Sequence, residues 1–206
     1  MATTEQNLHG SDACSPQVMA LLIVDMINDL EFEGGEKIAP DAIAAAKRIQ
    51  LLKQFFASRG YPVIYLNDNF GRWRSDFAAQ VRHCLDDHTR GEPMVRLVLP
   101  SEEDYFILKP QYSGFFCSPL ELLLNQLGVK RLVLSGIAGD RCVQFTANDA
   151  YMRSYELIVP TDAIACEEQE DHHQTIAYMQ RVLKAEIPTT EDFLAKQRQA
   201  SIPNPV

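Results

Sequence analysis

The sequence predicts one α/β domain, a three-layer α-β-α arrangement around a mainly parallel central sheet of about six strands. Short apolar runs alternate with longer stretches of helical periodicity, the order expected of strand–helix–strand units. The runs VMALLIVDM and KRLVLSG are apolar with no in–out alternation, as in strands covered on both faces. A length of 206 residues suits a single domain with a sizeable core.

Each element has its own signal. Residues 1–17, MATTEQNLHGSDACSPQ, are polar and lack the apolar segment of a secretion signal, so they read as a flexible arm before a domain at 18–206. Val18 to Met26 forms the first strand and carries Asp25 at its end. EFEGGEK is loop. PDAIAAAKRIQLLKQFFASRG has Pro40 early and Gly60 last, with Ile43, Ala46, Ile49, Leu52 and Phe56 at helical spacing. Tyr61 to Leu66 is the second strand, NDNFGRWRSDF a polar and aromatic loop, and FAAQVRHCLDD a short helix. Asp104 to Pro110 is the third strand, with Lys109 at its end. In SPLELLLNQLGV, Ser118 caps, Pro119 takes the first helical position and Glu121 completes a capping box, with Gly128 as the stop. KRLVLSG is the next strand, CVQFTANDAYMRS a helix, YELIVP a strand and EEQEDHHQTIAYMQRVLK a helix. AEIPTT reads as a last strand before the helix EDFLAKQRQ.

Composition excludes several functions. The net charge of -9 argues against nucleic acid or an acidic membrane as partner, because both demand a basic face. No apolar run approaches the roughly 20 residues that span a bilayer. Five cysteines at irregular spacings, with no C-x-x-C pair, fit a reducing cytoplasm and give a zinc ribbon no support.

In a parallel sheet the carboxyl ends of the strands form the ligand rim. Asp25 and Lys109 close two strands, and Cys142 follows the turn GIAGDRC at the mouth of a helix. A helix N-terminus and a lysine both lower a thiol pKa from its usual value near 8.5. Asp25 is then the base that takes the thiol proton and returns it to a leaving group, and the N–H groups of the turn are oxyanion donors. Together these are the parts for acyl transfer from an amide to cysteine and on to water. The plainer alternatives are a small buried thiol, an aspartate that shapes a turn and a solvated lysine at a strand end.

The segments LLIVDMIND, ILKPQYSGFF and VLSGIAGDRCVQFTANDAYMRSYELIVPTDAIA resemble the three signature segments of the isochorismatase-like cysteine hydrolases, a family that includes nicotinamidases and carbamoyl-amide hydrolases. The resemblance runs from about Val18 to about Thr190. It implies a catalytic triad of Asp25, Lys109 and Cys142, a cis peptide between Ile137 and Ala138, and an oxyanion hole from the N–H groups of Ala138 and Cys142. It implies a small-molecule amide or carbamoyl substrate, and assembly as a homodimer or homotetramer. Two departures stand out. The metal-dependent nicotinamidase branch has an Asp-x-His after the second strand. Here Asp68 is followed by Phe70 at the histidine position, with His83 and His88 further on, so no metal and no cofactor are expected. Gly139 stands where the family pattern has a threonine or similar residue. Cys142 itself speaks against the branch that cleaves a vinyl ether without a thiol.

Substrate-binding candidates cluster in the loops after the second and third strands. Arg72 is suited to a substrate carboxylate and Trp73 to walling a cleft, while a loop or subunit contact is the alternative. Asn67 and Asn69 either bond substrate or shape their loop. Tyr112, Phe115 and Phe116 follow Lys109 closely, where the resemblance puts cleft aromatics, although core packing explains them equally well. Cys117 and Cys166 read as packing residues, Cys84 has no identifiable partner, and Cys14 lies in the arm. His172 and His173 sit in an acidic helix start that reads as a solvated face. Three other functions compete: a metal-assisted amidase of nicotinamidase type, a catalytically idle binding module, and a redox sensor, which needs a resolving cysteine.

Overall fold

The computed structural model describes residues 18–68, 76–86 and 88–200. Its five strands are β1 (Val18–Val24), β2 (Val63–Asp68), β3 (Tyr105–Lys109), β4 (Val129–Gly136) and β5 (Glu156–Ile158), interleaved with helices α1 (Gly35–Ser58), α2 (Phe77–Asp86), α3 (Glu92–Leu97), α4 (Leu120–Gln126), α5 (Gln144–Met152), α6 (Gln169–Val182) and α7 (Thr190–Gln199). The strand order is β3-β2-β1-β4-β5, every pairing parallel. β1 sits at the centre with Ala20 to Val24 fully buried, which is why its run shows no alternation. One side chain set, Leu21, Ile23, Tyr65 and Val133, packs under α1, α2, α3 and α7. The alternate set, Leu22, Val24, Ile64 and Leu134, packs under α4, α5 and α6. All strands run the same way, so their carboxyl ends share one rim.

The predicted α/β class holds, with five strands in place of about six. AEIPTT contributes only a bridge between Ile158 and Glu186. Glu186 donates to Leu157 O and accepts from Val159 N, both at 2.8 Å, but Pro188 lacks the N–H that would extend the ladder. The first helix starts at Gly35, a turn before Pro40, because the Gly34 carbonyl accepts from Lys37 and Ile38 N–H at 3.0 and 3.2 Å. Pro40 therefore lies inside it. The capping box before α4 is only half formed. Leu120 N–H does bond Ser118 Oγ at 3.2 Å, but the Glu121 carboxylate pairs with Arg153 at 2.9 Å instead of folding back. The short helix α3, with Pro93 near its start, was not signalled by periodicity.

Candidate active site

β2 extends to Asp68, two residues past the predicted end, and this extension builds the rim. Asn67 is paired in register with Leu108, and Asp68 with Lys109. Asp25 follows β1 directly, with φ of 52° and its N–H on Leu66 O at 2.8 Å. Its two carboxylate oxygens take different donors: Oδ1 accepts from Asp68 N–H at 2.7 Å, and Oδ2 faces Lys109 Nζ at 2.8 Å. Lys109 belongs to β3, which is not a neighbour of β1. Its four-carbon stem spans β2 to reach Asp25, a distance that a shorter side chain would not cover. The ammonium passes Asp68 Oδ2 at 3.7 Å and ends 3.4 Å from Cys142 Sγ.

The thiol arrives from β4. Gly136 closes that strand with φ of 115°, and a Cβ there would fall 2.0 Å from Val24 O. A glycine is thus required for the end of β4 to press against the end of β1, where Ile137 N–H bonds Val24 O at 3.0 Å. The Ile137–Ala138 peptide is cis. A single π-helical turn, Gly139–Val143, follows and leads into α5. Within it, Ala138 O accepts from Arg141 and Val143 N–H at 3.1 and 3.2 Å, so the carbonyl points into the turn. Thr146 Oγ1 donates to Cys142 O at 2.7 Å and accepts from Gly114 N–H at 2.9 Å, joining the nucleophile turn to the loop after β3.

Asp25, Lys109 and Cys142 thus converge as the sequence leads one to expect, but the resting protonation differs. The Cys142 thiol is pushed up to about 12, by burial first and then by the Asp25 charge, against the opposing pull of Lys109. The thiol is therefore the resting form, not the lowered-pKa thiolate expected of a helix mouth. Burial of the sulfur, reinforced by the Asp25 carboxylate, outweighs the pull of Lys109. Burial raises the Asp25 carboxyl too, although Lys109 and the donors around it pull the other way. Burial alone would lower Lys109, but Asp25, Cys142 and Asp68 outweigh it and leave the ammonium favoured. A carboxylate, an ammonium and a neutral thiol in contact can pass one proton from sulfur to oxygen with no change of total charge.

The other candidates divide. Asn67 is fully buried; its Nδ2 donates to Ile27 O at 2.8 Å and holds the loop after β1, while its Oδ1 is buried with no partner among the described residues. Tyr112 is exposed and leans on Phe145 with ring centroids 5.3 Å apart. Phe115 is a core residue beneath Tyr155 and the Arg153 guanidinium, so its position is explained by packing. Phe116 is exposed. Asn69, Arg72 and Trp73 lie outside the described residues, as does Phe70. His83 and His88 face Asp29 and Glu92, at 3.2 and 3.3 Å. Among the described residues no three His, Cys, Asp or Glu side chains gather as metal ligands. The sequence offers Asp68 only as the remaining carboxylate of a metal motif, not as a partner of Asp25 and Lys109, and it gives Gln80 no part at this rim. Gln80 is buried and donates to Asp68 O at 3.0 Å. Asp68 stands two residues past the apolar run that ends at Leu66, and it reads as loop because both Asn67 and Asp68 are polar.

Residues 19–192 match the family described as Isochorismatase domain. The uncharacterized isochorismatase family protein YaaI of Bacillus subtilis (strain 168) is 40% identical over 177 residues, which is 86% of this chain and 97% of that protein. Ureidoacrylate amidohydrolase RutB of Klebsiella pneumoniae subsp. pneumoniae is 41% identical over 175 residues, 72% of this chain and 74% of that protein. Among solved structures, N-carbamoylsarcosine amidase from Thermoplasma acidophilum is 28% identical, with a TM-score of 0.67 over 85% of this chain and 98% of that one. With the match spanning the whole sheet and its rim, the chain belongs to the isochorismatase family.

Proposed function

We propose that this protein is a cysteine hydrolase that cleaves a non-peptide C–N bond, amide or carbamoyl, in a small molecule. The observation that carries this reading is one ammonium, Lys109 Nζ, set 2.8 Å from Asp25 and 3.4 Å from Cys142 Sγ in a buried site. Amide-hydrolysing relatives of similar sequence and fold support it.

Asp25 takes the thiol proton as Sγ bonds to the substrate carbonyl carbon. The carbonyl electrons move to oxygen, and the oxyanion rests on the N–H groups of Ala138 and Cys142. The tetrahedral intermediate collapses, the C–N bond breaks, and Asp25 gives its proton to the departing nitrogen. Water then loses a proton to Asp25 and attacks the thioester. Cleavage of the C–S bond releases the acid, and the proton on Asp25 returns to sulfur. Lys109 stays charged throughout and stabilises whichever of Asp25 and Cys142 carries the negative charge. Tyr112 is proposed at the substrate's edge, with Asn69, Arg72 and Trp73, which follow β2 in the sequence, as further candidates.

Incubation with a panel containing ureidoacrylate, N-carbamoylsarcosine, nicotinamide and simple amides tests the reading by intact-protein and peptide mass spectrometry. An acyl adduct mapping to Cys142 with at least one member, and turnover lost in Cys142→Ala, is the expected result. Turnover that survives Cys142→Ala sinks it. Cytoplasmic residence belongs to the same proposal and is supported by Cys84, Cys117, Cys142 and Cys166, all free thiols. So does a homodimer or homotetramer, supported by the exposed apolar side chains of Leu122, Phe145 and Met152 and tested by light scattering.

A further inference from the structure

The segment after β5 grips the nucleophile turn residue by residue. Ile164 pairs with Gly136 in a parallel bridge, and Ala165 N–H bonds Gly136 O at 3.2 Å. Gly139 N–H then bonds Ala165 O at 2.8 Å. Cys166 comes next: it is buried, and a Cβ built on Gly139 would stand only 2.8 Å from its Sγ and 3.3 Å from Ile164 Cδ1. The same thiol interacts with the backbone N–H and the carboxylate of Asp140. Glu167 completes the series with an ion pair to Arg141 Nη1 at 2.9 Å, its carboxylate seated over Gly34. Residues 165, 166 and 167 thus hold residues 139, 140 and 141, the three that lead into Cys142.

We propose that Cys166 is a positioning residue for Cys142, size-matched to Gly139, and that the two together set the height of the nucleophile turn. This rests on the reading of Cys142 as the nucleophile. The gap left by the missing Gly139 side chain is filled by sulfur, so the turn can neither drop towards Cys166 nor rise from it without losing a contact. The N–H groups of Ala138 and Cys142 flank this turn, so its height also sets where an oxyanion would sit. The Cys166 thiol is pushed up to about 12 by burial, then by Asp140. It therefore stays protonated at neutral pH and acts as a donor to Asp140, not as a second nucleophile.

The test uses the full chain and four variants: Gly139→Ala, Cys166→Ala, Cys166→Ser and the double variant Gly139→Ala/Cys166→Ala. Two rates are read on each: the second-order rate of carbamidomethylation at Cys142 by iodoacetamide, mapped by peptide mass, and kcat and KM for whichever panel compound is turned over. Thermal midpoints accompany both. Gly139→Ala is expected to lower the labelling rate and kcat about 10-fold, since displacements on the scale of 1 Å cost about 100-fold, with KM little changed. The double variant is expected to recover most of that loss, because alanine at 166 removes the sulfur the new methyl strikes. Cys166→Ser is expected to restore what Cys166→Ala loses. If the double variant is no faster than Gly139→Ala, or all rate losses simply follow the thermal midpoints, the positioning role is overturned. Labelling needs no substrate, so rescue in labelling with no turnover of any panel compound would sink the hydrolase reading and leave the positioning role standing.

Discussion

Lys109 is fully buried, yet it has a carboxylate 2.8 Å away and a second at 3.7 Å. An ammonium in that position is retained only because Asp25 is there to meet it. Lys109→Met removes the charge and leaves Asp25 buried with its main cation gone. Breaking a buried pair from one side costs about 3–5 kcal/mol, so urea unfolding should show a loss of that order. Adding Asp25→Asn to Lys109→Met should return much of it, because the stranded charge goes too. A double variant as unstable as the sum of the singles would show that the two groups do not share their charge. The thiol makes a separate prediction. An ordinary cysteine, with pKa near 8.5, approaches its full alkylation rate by about pH 10. Cys142, pushed up to about 12, holds its proton through that range, so its labelling rate by iodoacetamide should still be climbing there. A plateau near the ordinary value would mean that Lys109 outweighs burial and Asp25. Asp25 adds the acid side. Its carboxyl is raised by burial, so the ionised base is lost as pH falls through a value above the usual carboxylate range near 3.9. The acid limb of kcat/KM is expected above that range.

At the scale of elements, the end of β4 is the tightest junction. Gly136 has φ of 115° and no room for a Cβ, with Val24 O 2.0 Å from where one would lie. Gly136→Ala should therefore destabilise by well over the roughly 1 kcal/mol of an ordinary glycine effect. It should also lower kcat in whatever fraction folds, since it pushes the Cys142 turn from Asp25. Wild-type stability and rate in that variant would mean the two strand ends can separate freely. The same junction shows what was readable from sequence and what was not. β1 and β4 were legible because burial on both faces leaves an unbroken apolar run, and Asp25 marks where the first run stops. Lys109 was legible as the end of β3. The end of β2 was not, because Asn67 and Asp68 are polar and look like loop, although Asp68 is paired with Lys109 and Asn67 is fully buried. Their strand character comes from a neighbouring strand that periodicity within β2 cannot report. The grip of Ala165 to Glu167 on the turn before Cys142 was hidden for the same reason. Cys166 reads as packing until Gly139 is seen against it.

Across the whole molecule, thiol burial couples folding to alkaline pH. Cys84 on α2, Cys142 at the rim and Cys166 behind the nucleophile turn are each pushed up to about 12, with burial the first cause in every case. Tyr65, buried in the centre of the sheet, is raised in the same direction. In the unfolded chain the thiols ionise near their ordinary value of about 8.5. Below that pH both states hold the protons and stability does not depend on them. Above it the unfolded chain releases protons that the folded chain retains, so the unfolded state binds fewer and stability falls as pH rises from about 8.5 towards about 12. Urea midpoints at about pH 8, 9.5 and 10.5 should drop at each step. Cys84 allows the contribution to be isolated, because it packs on α2 against the cluster under α1 and has no part in the proposed chemistry. Cys84→Ala should lower the midpoint at the first pH, through the lost packing of a buried sulfur. Yet it should lose less than the parent between the first pH and the last, because one proton-retaining thiol is gone. The two effects oppose each other, so the two curves should converge as the solution becomes more alkaline. Parallel curves would mean that Cys84 ionises alike in the folded and unfolded chain, and that the alkaline loss arises elsewhere.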